Sequence, residues 1–256
     1  LKFLIYVLEK KNLHGSEKLL PKTLSKLGPG FIKLGQALST RPDIFGLKNT
    51  NKLVYLQDRL EPFSTRKAIE IIEEKIGLKL DQVFLKFNET PVAAASVAQV
   101  YEATLISGEK VAVKILRPNI EKILLQDFKF FFWISKQIEF FKPSFRRFKL
   151  SEMVKIFFQS SINEVDLRLE ASSANELKEN FNDFKRFKVP KIYWEFTSKE
   201  VMVLEFVDGV RIDKIQNNKK INFDLEELTK LASEIFFLQV FRDGFFHADL
   251  HPGNIF

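Results

Sequence analysis

Apolar residues recur at three- and four-residue spacing from Leu19 to Leu27 and again from Phe31 to Leu38, with Gly28-Pro29-Gly30 between the two runs. Such spacing lines one face of a helix, so the pattern predicts two amphipathic helices split at the Gly-Pro-Gly, the second stopping at Pro42. A third helix is predicted from Ser64 to Ile76, carrying Ala68, Ile69, Ile72 and Ile76 on one face and closing at Gly77. The whole section to about Phe87 reads as helical. From Val92 to Ile115 the residues become small and β-branched. Alternation through Val97, Gln99, Tyr101, Ala103 and Leu105, a Ser107-Gly108 turn, and a second run from Lys110 to Ile115 predict a two-stranded hairpin. Pro118 to roughly Asn182 reads as helix again, in at least three pieces broken near Pro143 and Asn163. Val189 to Phe206 returns to strands, as "VPKIYWEF" and "VMVLEFVDG", and Leu225 to Phe241 forms an amphipathic helix leading into "FFHADLHPGNIF". Helices, a hairpin, a helical excursion, two strands and more helices give an α+β order with an antiparallel sheet.

Composition narrows the chemistry. The 256 residues are 45% hydrophobic and 29% charged, which is a globular balance. No cysteine is present, which excludes disulfides, thiolate zinc sites and thiol catalysis. A net charge of +7 favours anionic partners such as nucleotide, nucleic acid or acidic lipid, although lysine is spread along the whole chain. No apolar run reaches the roughly 18 residues that cross a bilayer, and the start shows no cleavable leader. Beginning on Leu1 and ending on Phe256, directly after a polar loop, the chain reads as a fragment.

Four stretches carry candidate chemistry, and each has a plainer alternative. In "VAVK", Lys114 sits near the end of a strand among apolar residues; it either meets an anionic partner or guards a sheet edge. "PVAAASVAQV" precedes the hairpin, and its small residues allow close backbone approach to a phosphate, or simply pack a turn. In "NEVDLRLEASSANEL", Asp166 and Glu170 are spaced for one helix face with Glu164 beside them; they suit a metal, a partner for Lys114, or a solvated surface. Finally "HADLHPGN" spaces Asp249 and Asn254 as in a protein-kinase catalytic loop, where the Asp orients the nucleophile and the Asn holds magnesium. A His247/Asp249/His251 metal cluster competes with that reading but needs another ligand, and the remaining histidine, His14, is remote in sequence. The succession of small-residue loop, strand lysine, helix glutamate, two-strand segment, helix and HxDxxxxN is the order of a kinase fold.

These residues resemble the UbiB (ADCK/ABC1) atypical kinase-like family of ubiquinone biosynthesis, and the resemblance covers essentially the whole chain. "GPGFIKLGQALSTRPDIF" is similar to its KxGQ segment through Lys33, Gly35 and Gln36. "PVAAASVAQVYEA" resembles its alanine-rich loop, Glu164 and Asp166 its ExD pair, and "LQVFRDGFFHADLHPGNIF" the bacterial UbiB pattern in particular.

The resemblance implies a protein-kinase-like fold in three parts: a helical N-terminal extension (1–87), an N-lobe with a helical insertion (88–208) and the start of a helical C-lobe (209–256). It implies an ATPase or small-molecule kinase that binds ATP or ADP with Mg2+ and supports ubiquinone biosynthesis at the cytoplasmic face of the bacterial inner membrane. Lys114 would hold the α- and β-phosphates and pair with Glu170, and Asp249 would be the catalytic-loop aspartate. Asn254 would bind magnesium, and Ala93, Ala94, Ala95, Ser96 and Val97, with Glu205 and Val207, would contact the nucleotide. Lys33 and Gln36 would lie near Glu164 and Asp166 over the site where a protein kinase admits its peptide, in a regulatory role. Implied partners are nucleotide, membrane lipid or quinone-pathway intermediates and other ubiquinone biosynthesis proteins, and no nucleic acid. An ordinary protein kinase is disfavoured by the alanine loop and by Ala248, which stands where arginine is usual. A nucleotide-responsive pseudokinase that extracts or presents quinone precursors remains the alternative. The chain stops before the family's Asp-Phe-Gly segment and membrane-spanning helices, so this fragment by itself is expected to be inactive.

Overall fold

A computed structural model describes residues 19–39, 50, 53, 61–210, 212, 224–248 and 255. Helices α1 (Leu19–Leu27) and α2 (Pro29–Ser39) lead to α3 (Thr65–Ile76), a short α4 (Leu80–Val83) and strands β1 (Phe84–Phe87), β2 (Ala93–Ala94), β3 (Ala98–Leu105) and β4 (Lys110–Leu116). An excursion follows: α5 (Ile120–Phe141), a 3₁₀ turn at Pro143–Phe148, α6 (Leu150–Asn163) and α7 (Leu167–Asn180). The chain then returns through β5 (Val201–Glu205) to α8 (Leu225–Phe237), which runs on as a π-helical turn at Leu238–Asp243. The predicted stop at Pro42 lies outside the described residues.

The five strands form one antiparallel sheet in the order β1-β3-β4-β5, with β2 paired to β3 beyond the end of β1. Two expectations change here. Phe84–Phe87 is a strand, not the tail of a helical section, because its backbone finds an open edge on β3. The segment "VPKIYWEF" is not a strand: only Ile192 bridges to Leu204, and Trp194–Phe196 coil into a 3₁₀ turn. Pro190 has no N–H to give a ladder, and Thr197 caps the turn by donating its hydroxyl to the Tyr193 carbonyl at 2.8 Å.

Alternation gives the sheet two buried faces. Val111, Val113 and Ile115 join Tyr101, Val201 and Val203 against Ala68, Ile71 and Ile72 of α3. Ser64 caps that helix and Gly77, at φ 80°, ends it. On the other face Ala98, Leu116 and Met202 pack against Leu124 and Phe128 of α5 and Leu167 and Ala171 of α7. Gln99 points into the first face with no exposure at all. Its amide accepts from the Phe63 N–H at 3.1 Å and donates to the Phe63 carbonyl at 3.2 Å, so a buried polar group ties the approach to α3 onto β3.

The helix bearing "IKLGQ" is held from a distance. Gly30 N–H at the start of α2 donates to Asp127 Oδ2 of α5 at 2.9 Å, placing a carboxylate at a helix N-terminus, where the backbone dipole favours it. Phe31 meets Phe131 edge-on, centroids 4.7 Å apart. The approach leaves no room for a side chain: a Cβ on Gly30 would stand 2.6 Å from Asp127 Cβ, and Gly28 takes φ +126°. Burial pushes the Asp127 carboxyl above its usual range, against the opposing pull of the Gly30 N–H.

Asp127→Ala is therefore expected to cost about 1 kcal/mol of unfolding free energy, and Gly30→Ala more, read from urea denaturation. Because Asp127 binds its proton more tightly when folded, ionising it opposes folding as pH rises through the carboxylate range. Asp127→Asn keeps an acceptor without the charge, so its stability relative to the native chain should rise as pH climbs above about 4, the usual carboxylate value.

Candidate active site

β4 lies between β3 and β5, so Lys114 stands on an interior strand and the edge-guard reading of this residue does not apply. Its register partners are Val100 and Met202, and Val100 in turn faces Ala93. Ala93, Val100, Lys114 and Met202 thus form a row on one face of the sheet. Ala93 and Lys114 lie two strand spacings apart, roughly 10 Å.

Within this row Lys114 Nζ reaches both oxygens of Glu170, at 2.6 and 2.7 Å. Glu170 sits in the first turn of α7, and the local sequence fixes where that turn begins. α6 ends at Asn163, and Asp166, in extended conformation, caps α7 by accepting from the Arg168 N–H. Leu167 N–H then donates to the Lys199 carbonyl at 3.0 Å, fastening the helix start to the loop ahead of β5. Leu167 and Ala171 bury on the sheet face that carries Met202. The carboxylate is thereby directed at the neighbouring lysine. With side-chain exposures of 26% and 48%, the pair keeps contact with water, so it contributes orientation more than stability.

The other carboxylates are separately engaged. Lys33 of α2, only 7% exposed, pairs with Glu164 at 2.5 Å. Arg168 Nη2 grips Asp166 at 2.6 Å, and this bond holds the Asp166 carboxyl below its usual range. Asp166 and Glu170 do not share a helix face as expected, because Asp166 is the cap of α7 and lies outside it. With each carboxylate committed to its own cation, no metal-binding group of His, Cys, Asp or Glu occurs among the described residues. Gln36 is half-buried on the same helix as Lys33.

The alanine loop is a tight reversal. Ala93 and Ala94 pair with Val100 and Gln99, and Ala95 N–H closes onto the Ala98 carbonyl at 2.8 Å. Ser96 and Val97 are buried while Ala93 and Ala95 are exposed. Arg117, one residue past β4, fastens this loop: Nε donates to the Ala95 carbonyl at 3.0 Å and Nη2 to the Glu61 carbonyl at 2.9 Å, over the Phe63 ring. Burial draws its guanidinium below the usual range, and no carboxylate pairs with it among the described residues. At the end of β5, Glu205 gives its carboxylate to Lys188 and to the Lys191 N–H, and the Lys188 bond is the main cause of its lowered pKa. Its side chain is therefore committed, and its N–H donates to the Lys191 carbonyl at 2.8 Å. Val207 is 36% exposed beyond it.

Asp249 and Asn254 lie outside the described residues, but the approach to them is built. Gln239, 1% exposed inside the π-helical turn, accepts from the His247 N–H at 2.9 Å through its side chain and from the Phe245 N–H at 3.1 Å through its carbonyl. Arg242 in the same turn donates to the Asn180 carbonyl at 2.8 Å, linking it to the end of α7. Sequence reasoning missed Val100, Arg117 and Gln239. Val100 was legible as the alternate of Lys114 once the hairpin was registered, whereas nothing local marks the other two.

A mixed helix and antiparallel-sheet structure, with a strand lysine paired to a helix carboxylate, defines the kinase-like class. Residues 55–256 match the profile of the ABC1 atypical kinase-like domain. The chain belongs to the ABC1 atypical kinase-like family, and its curated relatives are of UbiB type. Proteins named "Probable protein kinase UbiB" from Pseudomonas aeruginosa strain PAO1 and Azotobacter vinelandii are 42% and 41% identical over 233 residues, 91% of this chain. The chain spans only 44% and 43% of their respective lengths. Among solved structures it is similar to Rv3197 from Mycobacterium tuberculosis in complex with erythromycin, with TM-score 0.60 and 28% identity over 99% of this chain and 62% of that one.

Gln239→Leu removes the side-chain acceptor of the His247 N–H and should cost about 1 kcal/mol, with faster amide exchange at His247. Glu170→Gln, by contrast, should cost no more than about 1 kcal/mol, measured by urea denaturation.

Proposed function

We propose that the chain is the nucleotide-binding part of an atypical kinase or ATPase that uses Mg-ATP in support of ubiquinone biosynthesis at a membrane. The observation that carries this reading is the row Ala93, Val100, Lys114 with Glu170 closing on the lysine. The donor set fits a nucleotide. Lys114 offers an oriented ammonium to phosphate oxygens, Arg117 adds a fixed positive charge beneath the alanine loop, and the exposed Ala93 and Ala95 let an anion approach the backbone. ATP would supply the transferable phosphoryl group. Lys114 would bind the α- and β-phosphates, Glu170 would hold the lysine in place, and the backbone of Glu205 and Val207 would edge the base. Asp249 would orient the attacking oxygen and Asn254 would hold magnesium, as the family's catalytic loop implies. Lys33, buried and paired with Glu164, would restrain access on the acceptor side.

A second reading, a lipid-binding pseudokinase that presents hydrophobic precursors, draws on the exposed Phe140 and Phe141 of α5. Acceptor phosphorylation separates the two.

Titration of the chain with fluorescent ADP and ATP, with and without magnesium, tests the nucleotide site. Lys114→Ala should weaken binding at least tenfold, a loss of about 1.4 kcal/mol or more, without lowering the melting temperature much. Absence of binding by the native chain, or equal binding by the Lys114 variant, would sink the proposal. Lys33→Ala should raise nucleotide affinity in the same titration; an unchanged value would show that Lys33 does not guard the site.

A further inference from the structure

The excursion between β4 and α7 is a helical hairpin with two unlike sides. Leu124, Phe128, Phe131 and Ser135 of α5 face inward and are buried. Phe130, Trp133, Phe140 and Phe141 fall on the opposite side, within an arc of about 100° at the helical repeat. They remain open: Trp133 is 58% exposed, Phe140 68% and Phe141 73%. The joint that follows, residues 142–149, contributes Phe148, 48% exposed, with Lys142, Arg146, Arg147 and Lys149 and no acidic residue.

The nearest carboxylate on α5 is turned away. Glu139 accepts from the Ser151 N–H at 2.9 Å and the Ser151 hydroxyl at 3.1 Å, so it caps the start of α6 and does not neutralise the tip. Lys149 pairs with Glu152 at 3.3 Å, whereas Lys142 and Arg147 make no ion pair among the described residues, and Arg147 lies over the Phe148 ring at 4.7 Å. Large aromatic side chains beside unneutralised cations, on a rigid helical end, match the boundary of an anionic bilayer. There the rings enter the acyl edge and the cations meet lipid phosphates. A protein groove would have to supply a matching acidic rim as well as an apolar floor, whereas an anionic lipid surface presents both without shape matching.

From this juxtaposition we infer that the tip of the α5–α6 hairpin, through Trp133, Phe140, Phe141, Lys142 and Arg147, docks the chain on the surface of an anionic lipid bilayer. The inference rests on the proposal that the protein works at a membrane, and does not depend on nucleotide binding. The docking inferred is a surface contact of this hairpin; no helix among the described residues is long and apolar enough to cross a membrane.

Flotation with vesicles of phosphatidylcholine alone, or of phosphatidylcholine with phosphatidylglycerol, tests it. The native chain should float with the anionic vesicles only. Phe140→Ser/Phe141→Ser should lower the partition at least about tenfold. Lys142→Gln/Arg147→Gln should lower it about 30-fold at low salt. In the Trp194→Phe variant Trp133 is the sole tryptophan, and its emission should shift to the blue on anionic vesicles alone. Failure of the native chain to bind any vesicle would overturn the membrane reading and the inference together. Native binding with both tip variants unimpaired, or equal binding to neutral vesicles, would overturn the inference alone. So would self-association abolished by Phe140→Ser/Phe141→Ser without flotation, which would give this face to a second copy. Unchanged circular dichroism of the variants excludes loss of fold as the cause.

Discussion

A lysine on an interior strand of an antiparallel sheet has few ways to be satisfied. Its flanking strands take up the backbone, its neighbours are apolar, and its ammonium must meet either water or an anion. In this chain Lys114 meets Glu170, and much of the lobe is arranged around that meeting. The helix bearing Glu170 begins where it does because Asp166 caps it and Leu167 is bonded to the Lys199 carbonyl. It lies where it does because Leu167 and Ala171 bury beside Met202, the register partner of Lys114. The pair is too open to water to hold the fold together. What it does is keep a positive charge aimed at one place on the sheet.

The surroundings of that charge follow from two polar anchors that act at long range. Arg117 binds the alanine loop to the chain ahead of α3, and Gln99 pins the same approach from inside the core. A loop of alanines has less backbone freedom than one of glycines, and here its shape is further set by an arginine that has no carboxylate partner among the described residues. On the other side, Asp127 reaches across 97 positions to the first turn of α2, delivering Lys33 to Glu164. The N-terminal helix is therefore part of the site's geometry and not an appendage.

The aromatic side of α5 gains its meaning from the helix's buried side. Had all its phenylalanines packed inward, the excursion would be only a support for α2 and α7. Phe128 and Phe131 do so, and they carry the packing. Phe140 and Phe141 stay exposed at the end of α5, next to Lys142 and Arg147, which have no acidic partner among the described residues.

Much of this was legible in order. The helices at 19–27 and 65–76, the hairpin at 98–116 and the breaks in the excursion follow from local periodicity, glycine and proline, which act over a few residues. So does the identity of Lys114, Asp249 and Asn254 as candidates, since motif spacing is local. Tertiary contact decided the rest. That Phe84–Phe87 is a strand depended on an open edge of β3, and that "VPKIYWEF" is not one depended on a turn capped by Thr197. Whether Lys114 guarded an edge or faced a partner depended on the strand order, which no local pattern encodes. Arg117, Gln239 and Asp127 were silent in the sequence for the same reason: each acts through hydrogen bonds to main-chain groups far along the chain or in an irregular turn, and backbone groups carry no side-chain signature. The sequence by itself determined which residues bear charge and which segments coil or extend; folding decided which of those charges meet.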